Sequence, residues 1–289
     1  KCQLTFIDGV FAPNLSKVDA PEGLTVTPLP FRDPEVVSYL GSVIEDSRPF
    51  VALNTAFARD GAHVRARSGV RLETPIHLLF LSTDRGAPFV TYPRILIELE
   101  PNAHLSLVES FVGLSGVYLT NAVTEISLSE GATLDYTKVQ RESHQAFHVA
   151  AMEVRQARNS VFRSHSIALG AAISRNDAAT RLEGEGADAT LNGLFEGTGR
   201  QVVDNHTTID HASPHTTSRE LYKGVLGERA KGVFLGRIHV RPHAQKIDAI
   251  QTNRTLLLSD SAAIHTRPQL EVHADDVRCS HGASIGRLD

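Results

Sequence analysis

The chain has 289 residues, a formal net charge of -4, 41% hydrophobic residues and 21% charged residues, a composition typical of a folded globular protein. Its basic residues are scattered and its longest apolar runs, such as "LLFL" at 78–81, are far shorter than a membrane span of ~20 residues, so neither nucleic acid nor a membrane is an expected partner. Because the only cysteines are Cys2 and Cys279, a disulfide framework is excluded, and a reducing cytoplasm is the expected location.

The first 61 residues differ in pattern from the rest. "QLTFIDGVFAP" reads as strand, and "RDPEVVSYLGSVIED" at 32–46 predicts a helix capped by Asp33, with apolar residues at helical spacing: Val36, Val37, Leu40, Val43 and Ile44. A second helix is predicted over 49–61, where Leu53 and Phe57 lie four apart and Gly61 ends the helix. The sequence therefore predicts a small α/β segment over 1–61 and a separate core domain over 62–289.

From about residue 62 the chain becomes a series of similar units, each an alternating apolar segment, a tight polar bend and a second alternating segment. "ILIELEPNAHLSLVES" from residue 95 and "VTEISLSEGATLDYTK" from 123 are two examples. Aligned on their bends, the units recur at intervals of 29, 27, 29, 42 and 32 residues; the aligned positions are Glu100, Ser129, Gln156, Glu185, Gly227 and Ser259. A period near 30 indicates a repeat architecture.

One unit cannot bury its apolar row alone, whereas units stacked at the strand spacing of ~4.8 Å cover one another. The prediction is an all-β fold, a β-solenoid, with a two-sheet sandwich as the competing fold. Small residues after the bends suit crowded corners; they are Ala103, Ala132 and Ala262. The 42-residue interval, which contains "DNHTTIDHASPHTTSRE", is interpreted as an insertion or an extra coil.

Cys279 and His281 form the first candidate site. Two residues apart on a strand, their side chains project from the same face. Thiolate and imidazole both suit iron and zinc, so the pair can act as ligands. The same alternation places Val277 on that face, and if Val277 is core then Cys279 is instead a buried and inert thiol. With one available cysteine, any cluster site has to be shared with another chain.

Other candidate sites have simpler interpretations. His206, His211 and His215 match no zinc spacing and are interpreted as polar residues of the insertion. The acidic pair Glu183 and Glu185 suits either a carbohydrate-cleaving β-helix or a solvent-facing strand row. The chain has no P-loop Gly-Lys-Ser/Thr and no Gly-x-Ser-x-Gly motif. The sequence therefore gives no support for ATP hydrolysis by a P-loop or for catalysis by a serine triad.

Residues 231–289 carry a family resemblance. The segments "QTNRTLLLS", "TRPQLEV" and "ADDVRCSHGASIG" strongly resemble the C-terminal core of the SufB/SufD family of iron-sulfur cluster assembly proteins, and a weaker likeness extends back to "ALNTAFARDG" at 52–61. The Cys-Ser-His-Gly run is similar to the SufD type rather than the SufB type. The resemblance implies a right-handed parallel β-helix, in agreement with the repeat pattern.

The resemblance also implies a role. SufD-type proteins pair with SufB through the β-helix, and each subunit binds a copy of the ATPase SufC. Cys279 and His281 correspond to SufD positions at the SufB–SufD junction, where a transient iron-sulfur cluster is assembled. The expectation is a non-enzymatic scaffold subunit with Cys279 and His281 as metal ligands, and a homodimer when SufB is absent. No tightly bound cofactor is expected of this chain alone.

The sequence departs from the family pattern in two places. The stretch "AIQTNRT" has Thr252 where SufB-type proteins have a principal cluster cysteine, so this chain is expected to supply at most half a site. The family's helices that dock SufC should begin where the sequence stops, at Asp289, and relatives also extend further at the N-terminus, so weak SufC binding is expected. The alternative function is a carbohydrate-active β-helix enzyme, which the absence of Trp disfavours.

Overall fold

Within the described residues the fold consists of two short α-helices, one 3-10 turn (Pro13–Leu15) and 21 strands. The computed structural model describes residues 2–29, 31, 34–44 and 47–287. The N-terminal elements are β1 (Cys2–Ile7), β2 (Val10–Phe11), β3 (Lys17–Val18), β4 (Leu24–Pro28), α1 (Pro34–Tyr39), α2 (Pro49–Phe57), β5 (Gly61–Ala66), β6 (Ile76–Ser82) and β7 (Phe89–Thr91). They are followed by β8 (Arg94–Leu99), β9 (His104–Gly113), β10 (Tyr118–Leu128), β11 (Thr133–Arg141), β12 (Phe147–Gln156), β13 (Val161–Ala168) and β14 (Ile173–Leu182). The last are β15 (Asp188–Gly197), β16 (Val202–His211), β17 (Thr217–Leu226), β18 (Lys231–Val240), β19 (Ile247–Leu257), β20 (Ala263–Val272) and β21 (Val277–Arg287).

The strands form two parallel stacks. One sheet has the order β2-β1-β6-β9-β11-β13-β15-β17-β19-β21, and the other has the order β20-β18-β16-β14-β12-β10-β8-β5-β4. From β8 onward the chain passes from one sheet to the other at every corner, and each strand pairs in parallel with the strand two positions later in the sequence. This arrangement is a β-solenoid, as predicted, and not a sandwich of antiparallel hairpins.

Inward-facing side chains of successive coils stack on one another. The rings of Phe6 and Phe80 lie 4.8 Å apart and those of Phe80 and Phe111 lie 5.0 Å apart, each pair being direct register partners on neighbouring strands. The predicted corner alanines are all buried; they are Ala103, Ala132 and Ala262. The apolar rows therefore cover one another in a continuous interior, which is the physical basis that the repeat pattern indicated.

The corners correct the interpretation of the long interval. Six successive corners lead from the second sheet to the first, from the β8–β9 corner to the β18–β19 corner, and each has one residue with a left-handed φ. These residues recur at intervals of 29, 28, 27, 29 and 31; they are Asn102, Gly131, Asn159, Gly186, His215 and Lys246. Gly227 and Ser259 belong to the opposite corners, which lead from β17 to β18 and from β19 to β20. Contrary to the prediction, the segment 204–220 is neither an insertion nor an extra coil: it consists of β16, its corner and β17, in register with their neighbours.

The N-terminal helices are shorter than predicted. The first ends at Tyr39, because Gly41 adopts φ +78 and its backbone N–H donates to Glu125 instead of continuing the helix. Asp33, the predicted cap, lies outside the described residues. The second helix ends at Phe57, and Gly61 is the first residue of β5.

The second helix also packs on a different face from the one predicted. Its buried residues are Val51 and Asn54, whereas Phe57 is exposed. Neither described helix has the length and apolar content to span a bilayer. The strands β1 and β4 extend the two sheets by pairing with β6 and β5, and the domain division at residue 61 remains a prediction.

Candidate functional site at the open end of the solenoid

The last coil is left uncovered. β20 and β21 are the terminal strands of the two sheets, and within the described residues no further strand pairs with either of them. Inward-facing apolar residues that would be buried in any earlier coil are consequently exposed here, among them Val272 at 39% and Ile285 at 51%. The solenoid therefore ends in an apolar face bordered by unpaired backbone N–H and C=O groups.

Cys279 and His281 both lie on the inward face of this last strand. Their register partners on β19 are Ala249 and Gln251, which are fully buried inside the solenoid. Cys279 is half-buried and packs against the core, whereas His281 is exposed. The register places the two side chains on one face, and Cys279 is half-buried rather than deeply buried in the described chain. The metal-ligand role of the pair remains a prediction.

The thiol of Cys279 is held in its protonated form. Burial raises the pKa of Cys279, and the nearby negative charge of Asp248 raises it further. Since thiolate is the form that binds metal, binding has to displace this proton. A cation at the open end, or a partner that contributes positive charge, would favour the thiolate.

The described residues offer no third ligand beside this pair. No group of three or more His, Cys, Asp or Glu side chains in the described part of the chain could hold a metal ion. Structural zinc and iron-sulfur sites need about four protein ligands, so Cys279 and His281 could supply at most half of such a site. Thr252 faces the outside of the first sheet, opposite Gly282, and does not join them.

Beneath His281 lies a buried polar column that the sequence analysis missed. Glu220 and Gln251 occupy successive inward positions below His281, and the Gln251 Nε2 donates to Glu220 Oε2 at 2.6 Å. Burial raises the pKa of Glu220 to about 7, against the opposing hydrogen bonds of Thr207 and Gln251. The sequence did contain a signal for this column: Glu220 in "SRELY" and Gln251 in "AIQTN" are polar residues at positions where the alternating pattern predicts an inward-facing apolar residue.

A second buried polar group lies in the middle of the solenoid. Tyr136 donates its hydroxyl to Glu109, and Lys138 donates to the Asn176 Oδ1 at 3.0 Å. Burial lowers the pKa of Lys138 to about 8, although the charge of Glu109 opposes this shift. These polar side chains are hydrogen-bonded to one another in pairs. The nearest of them on the first sheet lie on β11, five strands away from β21, so they are not part of the open end.

The three histidines of 206–215 do not converge. His206 faces outward between Asp177 and Asp204, with its Nε2 2.9 Å from an Asp204 carboxylate oxygen. His211 is fully buried and is hydrogen-bonded to Thr216 and Ser218, while His215 is a corner residue with φ +57. They are residues of regular coils, which corrects their assignment to an insertion.

The acidic pair Glu183 and Glu185 lies on a corner, after β14 ends at Leu182, and not in a strand row. Glu183 lies 3.3 Å from the guanidinium of Arg181 and 3.9 Å from that of Arg155. Its carboxylate is therefore engaged in surface ion pairs.

The fold defines the chain as a parallel β-solenoid protein. Residues 80–289 match the sequence profile of the family described as "SUF system FeS cluster assembly, SufBD core domain". The chain belongs to this SufB/SufD family, which confirms the resemblance drawn from residues 231–289.

Similar proteins agree with this assignment. An iron-sulfur cluster assembly SufBD family protein of Synechocystis is 36% identical over 99% of this chain and 66% of its own length. The iron-sulfur cluster assembly protein SufD of Escherichia coli is 30% identical over 99% of this chain and 67% of its own length. SufD of Bacillus subtilis is 26% identical over 84% of this chain. The chain thus spans about two thirds of the length of the first two relatives, and family membership supports a role in iron-sulfur cluster assembly.

Proposed function

We propose that the chain is a SufD-like scaffold subunit, without catalytic activity of its own, that pairs through its last coil with a SufB-type subunit in the cytoplasm. Cys279 and His281 contribute two ligands to a nascent iron-sulfur cluster, which is cargo and not a resident cofactor. The partner contributes the remaining ligands, and a SufC-type ATPase joins the assembly through parts of the full protein beyond these residues. The single observation that carries the proposal is the position of the thiol and imidazole together on the inward face of an uncovered edge strand.

The exposed edge of the last coil supports the proposed pairing. An edge strand with free backbone groups and exposed apolar side chains is stabilised when another strand adds to it. A SufB-type coil end would complete the solenoid and bring its own ligands to the half-site. When that partner is absent, a second copy of this chain covers the same face and gives a homodimer.

The ligand role is tested by cluster formation in the full-length protein co-purified with its SufB and SufC counterparts. Cys279→Ser and His281→Ala are each expected to lower the amount of assembled cluster about tenfold or more, read from iron content and visible absorbance, with the complex intact. Matched controls are Ser280→Ala and His265→Ala, which change outward-facing residues of the two edge strands. Undiminished cluster formation in both ligand variants would remove the ligand role and leave the scaffold role standing.

The pairing role is tested by placing a charge on the open end. Ile285→Asp is expected to weaken pairing with the SufB-type partner at least tenfold, because the carboxylate would have to be desolvated in the interface. Ile250→Asp is the control, since Ile250 is similarly exposed at 40% but lies on the outer face of β19. Size-exclusion chromatography with light scattering measures both, and equal effects would mean that pairing uses another surface.

A further inference from the structure

We propose that Gln251, anchored by Glu220, is a positioning residue for His281: its side-chain carbonyl accepts the ring N–H of His281 and leaves the other ring nitrogen free at the open end. The inference deepens the proposed function and rests on it. It concerns the coil beneath the two proposed ligands.

The register places the three side chains in one column. Glu220 on β17 pairs with Gln251 on β19, and Gln251 pairs with His281 on β21. Parallel strands lie ~4.8 Å apart, and side chains at paired positions point to the same side of the sheet. The amide of Gln251 therefore lies between a buried carboxyl below it and the imidazole above it.

The hydrogen bond to Glu220 sets the orientation of the amide. The Gln251 Nε2 donates to Glu220 Oε2 at 2.6 Å, since the amide nitrogen is the donor and a carboxyl oxygen can accept in either protonation state. The Oε1 of Gln251 is then directed away from this bond, and it is a buried atom with no partner in the described chain. A buried carbonyl oxygen without a donor is unfavourable, because it has lost its hydrogen bonds to water, so a donor is expected to reach it. The ring N–H of His281, one register position above, is such a donor.

A glycine on the opposite sheet provides the space for this amide. A Cβ atom at Gly236 would lie 2.3 Å from the Gln251 Nε2 and 2.7 Å from its Cδ, so no other residue fits there unless Gln251 moves. Gln251 thus fills the volume that a side chain on β18 would otherwise occupy. Close packing on that side and the Glu220 hydrogen bond on the other hold the amide in one position.

The consequence for His281 is a selected tautomer. A ring nitrogen that donates to the amide oxygen keeps its proton, and the other nitrogen then carries the lone pair that binds metal. The lone pair is directed to the same open face as the thiol of Cys279. Outer hydrogen bonds of this kind typically change metal affinity by about 10–100-fold.

The experiment is ¹⁵N-histidine NMR of the full-length protein without metal, with the His281 resonances assigned by their loss in His281→Ala. The wild type is expected to show one dominant tautomer. Gln251→Met, of similar size but without an acceptor, is expected to show a mixture of both tautomers and about tenfold less cluster in the SufB-type complex. Gly236→Ala, which displaces the amide but keeps it, is the second variant and should shift the tautomer ratio in the same direction.

The matched control is Gln156→Met. Gln156 is also a fully buried, inward-facing glutamine, but it lies on β12 and bonds to Asp188 and Thr180. The Gln156→Met variant is expected to be less stable than the wild type but to show the same His281 tautomer. A tautomer mixture in the wild type, or an unchanged tautomer in both test variants, would overturn the positioning role. A selected tautomer together with full cluster formation in His281→Ala would instead overturn the ligand role in the proposed function.

Discussion

Glu125→Gln is expected to lower the free energy of unfolding by about 3–5 kcal/mol, the cost typical of leaving one member of a buried ion pair without its partner. Glu125 and Arg94 are almost fully buried, and their closest N–O distance is 2.5 Å. The carboxylate also accepts the backbone N–H groups of Gly41, Val43 and Ile44 at 3.0–3.3 Å. A neutral amide would leave the guanidinium charge uncompensated and would lose part of these bonds.

The same change is expected to loosen the N-terminal segment. Arg94 donates to the side chains of Asn54 and Thr55 in α2, so the pair attaches both the loop after α1 and the helix α2 to the second sheet. Hydrogen exchange at the amides of Gly41, Val43 and Ile44 should therefore accelerate in the variant.

Urea denaturation measures the stability change, with Glu100→Gln as the control. The Arg65–Glu100 pair has a comparable N–O distance of 3.1 Å, but its side chains are 38% and 32% exposed. An exposed pair of this kind contributes about 0–1 kcal/mol. If both variants lose the same amount, burial of the Arg94–Glu125 pair is not what stabilises this region.

Glu220→Gln is expected to remove a pH dependence of stability. Burial raises the pKa of Glu220 to about 7 from its ordinary value of 4.5. Between pH 4.5 and pH 7 the Glu220 carboxyl loses its proton in the unfolded chain but keeps it in the folded chain. The stability that Glu220 contributes is therefore fully present below pH 4.5 and is lost as the pH rises through 7. One pKa unit corresponds to about 1.4 kcal/mol, which gives a loss of about 2–3 kcal/mol between pH 5 and pH 8.

The unfolding free energies of Glu220→Gln and of the wild type are measured at pH 5 and at pH 8, and the wild-type value is subtracted from the variant value at each pH, so that the contributions of the other titrating groups cancel. From pH 5 to pH 8 this difference should shift in favour of the variant by about 2–3 kcal/mol. Tyr222→Phe is the control, because burial raises the pKa of this neighbouring inward tyrosine and its phenol does not titrate in this range. A pH-independent difference for Glu220→Gln would show that the carboxyl does not keep its proton in the folded protein.

The sequence by itself determined the local part of this structure. Alternating apolar residues separated by tight bends at a period near 30 determine coils that must stack, since each row of side chains can be buried only by the next. The same period of two placed Cys279 and His281 on one face. The motifs of residues 231–289 were sufficient for the family.

Only the tertiary structure decided which residues meet between coils, because register joins residues that lie about 30 apart in sequence. It showed that the bend at Gly227 belongs to a different corner column from the bend at Ser129, which removed the supposed insertion. It ended α1 early, since Glu125 attracts N–H groups that a longer helix would have used. It placed Gln251 and Glu220 beneath His281, which is exposed because no further strand of the described chain covers the last coil.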